Sequence, residues 1–178
     1  AEAVWQSLVR EDAAGQTLDG VVLWHEAPFA VGANLQQVSG AITAGRFDML
    51  EQTVEKFQRA SQTLKYAQVP TVAAVQGWCI AGGTNIVFNA HLIVAAESAR
   101  FGYPPSRVWG VPEAPWTWVS KLGLQNARRY MLTGDEFTAR QALEMGAVLE
   151  VVPDDELFDR SMALAQRVAL LPSTQLEM

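Results

Sequence analysis

The sequence predicts an α/β fold built on a largely parallel sheet. Two apolar runs, Thr71–Val75 and 91–96, have the length of buried strands, and an amphipathic helical pattern precedes the first. Helical patterns at 119–132, 138–145 and 154–170 follow the second. Strands that are apolar on both faces need cover on both sides, and strands separated by helices need crossovers, which make neighbours parallel.

In chain order, Val4, Leu8 and Val9 lie at helical spacing and predict a helix over 1–14, ended by Gly15. The run 20–24 follows a turn signal and predicts a short buried strand. Residues 29–35 are small and glycine-bearing, which predicts a loop. Over 46–68, Leu50, Val54, Phe57, Ser61 and Leu64 recur at offsets of four, three, four and three. That is one face of a helix, with Glu51, Glu55, Lys56 and Arg59 on the solvated side. Pro70 stops this helix before the first long strand. Gly77 and then Ala81-Gly82-Gly83 break that strand, and 84–90 reads as a helix. A stretch rich in Gly, Pro and Trp predicts a loop over 101–116. Between the last two helices, 147–149 and 150–152 are short strand-like pieces. The chain opens inside an expected helix and stops soon after Leu171, so residues 1–178 are expected to be one core domain cut from a longer one.

The 178 residues are 49% hydrophobic and 18% charged, which excludes a disordered segment. Thirteen basic against 19 acidic residues leave a net charge of −6 and no basic patch for nucleic acid. The single cysteine, Cys79, excludes an internal disulfide and a multi-cysteine metal site. No apolar run approaches the roughly 20 residues of a membrane span, so a cytoplasmic protein without a membrane or nucleic-acid partner is expected. His25 and His91 are isolated and lack a ligand partner at metal spacing. Cys79 is expected to fill core space, and Arg128 and Arg129 to lie on a solvated helix face.

The chemistry-bearing stretch runs from Val75 to Asn85. A strand enters glycines and then opens a helix, leaving amides near Gly82 free to face an anion, and glycine allows close approach. Neither the six-residue dinucleotide fingerprint nor the Walker sequence is present. A second small-residue loop, 29–35, lies one helix upstream. These two loops, with Phe101-Gly102-Tyr103-Pro104, Trp109-Gly110-Val111-Pro112, Leu132-Thr133-Gly134-Asp135 and the Ala-x-x-Met-Gly-x-Val pattern in 139–152, resemble the crotonase (enoyl-CoA hydratase/isomerase) superfamily. The resemblance runs from about Gly20 through Leu171.

That resemblance implies a spiral of repeated strand-strand-helix units, incomplete at both termini. It also implies a backbone oxyanion hole for an acyl-CoA thioester, formed here by the amides of Ala33 and Gly82. Preorganised donors of this kind stabilise the charge an enolate oxygen gathers. Phe29, Val31, Asn34, Trp78, Gly83, Asn85, Pro105 and Trp109 are the expected substrate contacts. CoA is part of the substrate, and no separate cofactor or metal is expected. Intact members are expected to form homotrimers or dimers of trimers, in the setting of fatty-acid metabolism.

Two positions depart from the hydratase pattern. Where hydratases of this family carry two glutamates, this chain has Asn85 and Pro105, neither of which is a general acid or base. Glu113 stands where other members carry a catalytic carboxylate, and Trp109, Trp116 and Trp118 are near it in sequence. A carboxyl in an apolar pocket is shifted toward a base suited to carbon acids. The leading expectation is hydration or double-bond isomerisation of an enoyl-CoA with Glu113 as acid/base. The alternative is a non-catalytic acyl-CoA-binding or assembly subunit.

Overall fold

The computed structural model describes residues 19–109, with the backbone alone at Trp109, and residues 115–171. The helix expected over 1–14 and Glu113 lie outside the described residues.

Four parallel strands form the main sheet: β1 (Val21–Trp24), β2 (Thr71–Val75), β4 (Leu92–Ala96) and β7 (Glu150–Val152), in the order β1-β2-β4-β7. The register pairs Leu23 with Ala73, Ala73 with Ile93, and Ala95 with Val151. A second sheet holds β3 (Trp78–Ile80), β5 (Arg100–Gly102) and β6 (Glu136–Thr138), in the order β3-β5-β6. There β3 and β5 are parallel, with Cys79 opposite Phe101, and β5 and β6 are antiparallel. Thus β2 and β4 each continue into a short strand of the second sheet before a helix follows, and this is the repeated strand-strand-helix spiral expected. The structure supports the α/β class.

Alternation along the strands explains why they read as apolar throughout. Leu23, Ala73, Val75, Ile93 and Ala95 face a core shared with Cys79, Phe101 and Phe137 of the second sheet and with Trp118, Leu122 and Tyr130. The intervening Val72, Ala74, Val94 and Ala96 pack with Val152, Leu157 and Ala165. The last two belong to α8 (Leu157–Ala169), so one helix covers the outer face of the main sheet.

The long predicted helix is present as α2 (Phe47–Lys65), and the one expected over 84–90 as α3 (Gly82–Val87). Ahead of α2 lies α1 (Leu35–Thr43), capped by Asn34, whose Oδ1 accepts the amides of Gln36 and Gln37 at 3.1 and 3.2 Å. The expected loop over 101–116 is corrected in part. Residues 101 and 102 belong to β5, and Ser106–Trp109 form a helical turn, α4. A helix already begins at Pro115. The single helix expected over 119–132 is two, α5 (Pro115–Leu122) and α6 (Leu124–Thr133), because Gly123 takes φ +71° between them. Residues 147–149 form bends rather than a strand; the Leu149 amide donates to Ile93 O at 2.8 Å and leads the chain into β7. Helix α7 (Ala139–Glu144) begins with a reciprocal cap between Thr138 and Gln141.

Candidate functional site

Two glycine-bearing loops meet at one end of β3. The amide of Ala30 donates to Trp78 O at 3.0 Å, and Ile80 returns a bond to Ala30 O at 2.9 Å. This short bridge makes Ala30 a parallel neighbour of Cys79 and carries the chain on to Gly32. Gly32 has φ +86°, and a Cβ there would stand 2.9 Å from Ala81 Cβ and 3.5 Å from the Gly82 nitrogen. A Cβ at Gly82 would lie 3.7 Å from Gly32 Cα and 3.1 Å from the ring of Phe57 on α2. Gly83 is tighter still, with Ala30 Cβ and Ala30 O both at 2.7 Å from its notional Cβ. Close backbone approach is therefore why the two loops are built from small residues.

The Ala33 and Gly82 amides, whose loops are thus joined, make no hydrogen bond among the described residues. Their loops are anchored from outside. The Ala81 amide donates to Gly102 O at 2.9 Å, and the buried Thr84 hydroxyl reaches Cys79 O at 2.5 Å and Gly102 O at 3.0 Å. Ala81 itself takes φ +54°, the one positive-φ non-glycine residue among those described. Holding a Cβ-bearing residue there costs about 1 kcal/mol, which the bonds on either side offset.

The expected contacts lie on several elements. Val31, Ala33 and Asn34 are exposed on the first loop, and Phe29 is half-buried beneath it. Trp78 is exposed on β3, on the residue whose carbonyl holds Ala30. Asn34 has a bracing task as the cap of α1. Gly83 and Asn85 are buried in the first turn of α3. Pro105 is half-buried just before α4, and its carbonyl accepts the Val108 amide at 3.0 Å. Arg107 ties α4 to the end of α6, donating to Thr133 O at 2.9 Å and pairing with Asp135 at 2.8 Å. Trp109 ends α4.

Asn85 is 3% exposed, and its Oδ1 accepts the indole N–H of Trp118 at 2.7 Å. Trp118 is fully buried and boxed by rings, with Phe88 at 5.1 Å, Tyr103 at 6.2 Å and Phe137 at 6.4 Å between centroids. The sequence gives no hint of this pairing, because the two residues are 33 positions apart. Phe57 was also legible only as helix core, although it covers Gly82 as well.

Of the other titratable candidates, Cys79 is sealed in the core and burial pushes its thiol far up, so it is no nucleophile. His91 accepts the Thr71 amide at 3.1 Å, a tie between the starts of β2 and β4. Arg128 and Arg129 lie exposed on α6, with Arg129 over the Tyr130 ring at 5.1 Å. Among the described residues, no three His, Cys, Asp or Glu side chains group as a metal site, and no helix is long and apolar enough to cross a membrane.

A spiral of strand-strand-helix units with two small-residue loops pinned together at its edge defines a crotonase-type fold. The chain belongs to the enoyl-CoA hydratase/isomerase family, whose model matches residues 7–178. It is similar to the hydroxycinnamoyl-CoA hydratase-lyase of Pseudomonas fluorescens, 30% identical over 93% of this chain and 60% of that protein. It is 28% identical to a probable mitochondrial enoyl-CoA hydratase of Dictyostelium discoideum over 84% of this chain. The match spans 52% of that relative, so the chain corresponds to about half its length. Among solved structures, an enoyl-CoA hydratase subunit of Geobacillus kaustophilus superposes with TM-score 0.79 at 27% identity, covering 97% of this chain and 67% of that one.

Proposed function

We propose that this chain is an acyl-CoA enzyme of the hydratase/isomerase type, in which the amides of Ala33 and Gly82 receive the thioester oxygen as it becomes an enolate. The observation that carries the reading is the close approach of the two loops, where a Cβ at Gly32 would stand 3.5 Å from the Gly82 nitrogen, beside two amides with no hydrogen-bond partner among the described residues. Amides already in place at a carbonyl oxygen need no reorganisation as charge develops, which is where such sites gain most of their rate.

In this reading Glu113 takes a proton from the acyl chain, and the C–H electron pair moves through the carbonyl to the oxygen held by the two amides. Return of the proton at another carbon moves the double bond; addition of water at Cβ of an enoyl-CoA gives hydration. Phe29, Val31, Trp78 and Trp109 line the acyl path, and CoA enters as part of the substrate with no further cofactor. Cytoplasmic location, a place in fatty-acid metabolism and assembly as a homotrimer or dimer of trimers complete the proposal. Two relatives, the Pseudomonas hydratase-lyase and a 2,3-dehydroadipyl-CoA hydratase of Escherichia coli at 29% identity, are named for CoA thioesters.

A second reading, a non-catalytic acyl-CoA binder or assembly subunit, is favoured by Asn85 and Pro105 at the positions of the hydratase glutamates. Exchange of the α-protons of butyryl-CoA in D₂O separates the two, because it needs only an oxyanion site and a base. Exchange that disappears in Glu113→Gln while the thioester still binds supports the enzyme. Binding without exchange in either protein sinks the catalytic role and leaves the binder.

A further inference from the structure

The amide of Asn85 can face Trp118 in only one way. An indole N–H is a donor and nothing else, so the group 2.7 Å from it must be the carboxamide oxygen. The indole is immobile, fully buried among Phe88, Tyr103 and Phe137. The carboxamide is therefore fixed as well, with Nδ2 turned away from the indole. Nδ2 has no hydrogen-bond partner among the described residues; the sealed side-chain atoms without a partner there are Ser61 Oγ and Ser161 Oγ, so Nδ2 keeps an opening although the residue as a whole is only 3% exposed. A fixed pair of N–H donors that no described protein group uses is free to meet an acceptor on a bound molecule.

Its place in the helix says where that ligand lies. Asn85 is three residues beyond Gly82 in α3 and shares its face, and a side chain in a helix leans back over the preceding turn. The Gly82 face is the one turned to Gly32 and to the ring of Phe57. The N–H groups of Asn85 thus belong to the side of α3 on which the two loops meet.

We propose that Trp118 is a positioning residue that locks Asn85 as a hydrogen-bond donor toward the acyl chain, selecting CoA thioesters that carry an acceptor oxygen, a ketone or a carboxylate, beyond the thioester carbonyl. The inference rests on the acyl-CoA reading above and adds the substrate class. A carboxamide oxygen turned to the site would instead repel such an oxygen, so the indole bond sets the sign of the selection. Phenylalanine at 118 keeps the ring packing and removes only the N–H that enforces it.

The test compares binding of acetoacetyl-CoA and butyryl-CoA, which differ by one ketone oxygen, by calorimetry. The proteins are the native chain, Trp118→Phe, Asn85→Leu and the double variant, each checked for its unfolding midpoint. The native protein is expected to prefer the ketone by about three- to tenfold, the worth of one buried hydrogen bond. Trp118→Phe should lose most of that preference while its affinity for butyryl-CoA stays within twofold. In the Asn85→Leu background, Trp118→Phe should change the preference no further. Equal binding of the two thioesters by the native protein overturns this inference and leaves the acyl-CoA reading standing. Binding of neither overturns both. A preference that survives Trp118→Phe, or a loss by Trp118→Phe that persists in the Asn85→Leu background, removes Trp118 from the positioning role.

Discussion

Gly83 and Ala30 are packed so closely that a methyl group on Gly83 would stand 2.7 Å from both the Cβ and the carbonyl oxygen of Ala30. The carbonyl is not free to move, since it accepts the Ile80 amide at 2.9 Å. The contact thus joins the two glycine loops through backbone atoms rather than through flexible side chains, and it fixes the distance between them.

Gly83→Ala is accordingly expected to cost about 1–3 kcal/mol, the range of overpacking against a rigid neighbour. Gly40→Ala is the control: Gly40 lies inside α1 with nothing within 4 Å of a notional Cβ, and alanine there should stabilise by about 0.5–1 kcal/mol. Urea unfolding of the two variants checks both signs, and a stable Gly83→Ala protein would contradict the packing account.

Stability is expected to fall in mild acid through His91. Burial first, and then the nearby positive Lys121, hold the imidazole below its ordinary pKa of 6.5. Its Nδ1 accepts the Thr71 amide at 3.1 Å, which a protonated ring cannot do. Lys121 donates to Ala90 O at 3.0 Å, beside the ring. Because the folded-state pKa is the lower one, the unfolded chain binds the extra proton first. The contribution is complete above pH 6.5 and is lost as pH falls toward and through the lowered folded value. Urea midpoints measured at pH 7.5 and at pH 5 should show the drop. His91→Asn, which keeps an acceptor and does not titrate, should flatten that part of the profile.

Cys79 has no accessible surface, and burial raises its thiol despite a hydroxyl from Thr84 nearby. Labelling by a disulfide reagent at pH 8 should therefore proceed only as fast as the chain opens, and accelerate sharply in denaturant. Rapid stoichiometric labelling of the native protein would show that the packing of β3 against β5 is not as described.

What the sequence made legible follows from how many neighbours a residue type needs. Val72 to Val75 and Ile93 to Ala96 face packed layers on both sides, so each position had to be apolar and the strands stood out. The stripe from Leu50 to Leu64 marked α2 for the same reason. Strands β3, β5 and β6 have three residues each, too few for any period to register. Helix α1 was missed although its cap, Asn34, was in plain sight; the glycine at 40 and the polar 36–37 weakened its pattern. At the candidate site the two loops were legible because close backbone approach admits only small residues. The bond from Trp118 to Asn85 was not, since it depends on the fold bringing α5 onto α3.

The central claim, that the Gly82 amide holds a developing enolate, is tested most directly by removing that one N–H. Gly82 is the first residue of α3, where proline is tolerated, and its amide has no hydrogen bond to lose among the described residues. The ring would press on the edge of Phe57, now 3.1 Å from a notional Cβ, a side chain able to tilt. The measurement is the rate of α-proton exchange of butyryl-CoA in D₂O for the native protein and Gly82→Pro, with unfolding midpoint and thioester binding followed in parallel. A folded, thioester-binding Gly82→Pro protein whose exchange is slower by about 10²–10³ is the predicted result. Native-like exchange from that protein would contradict the claim.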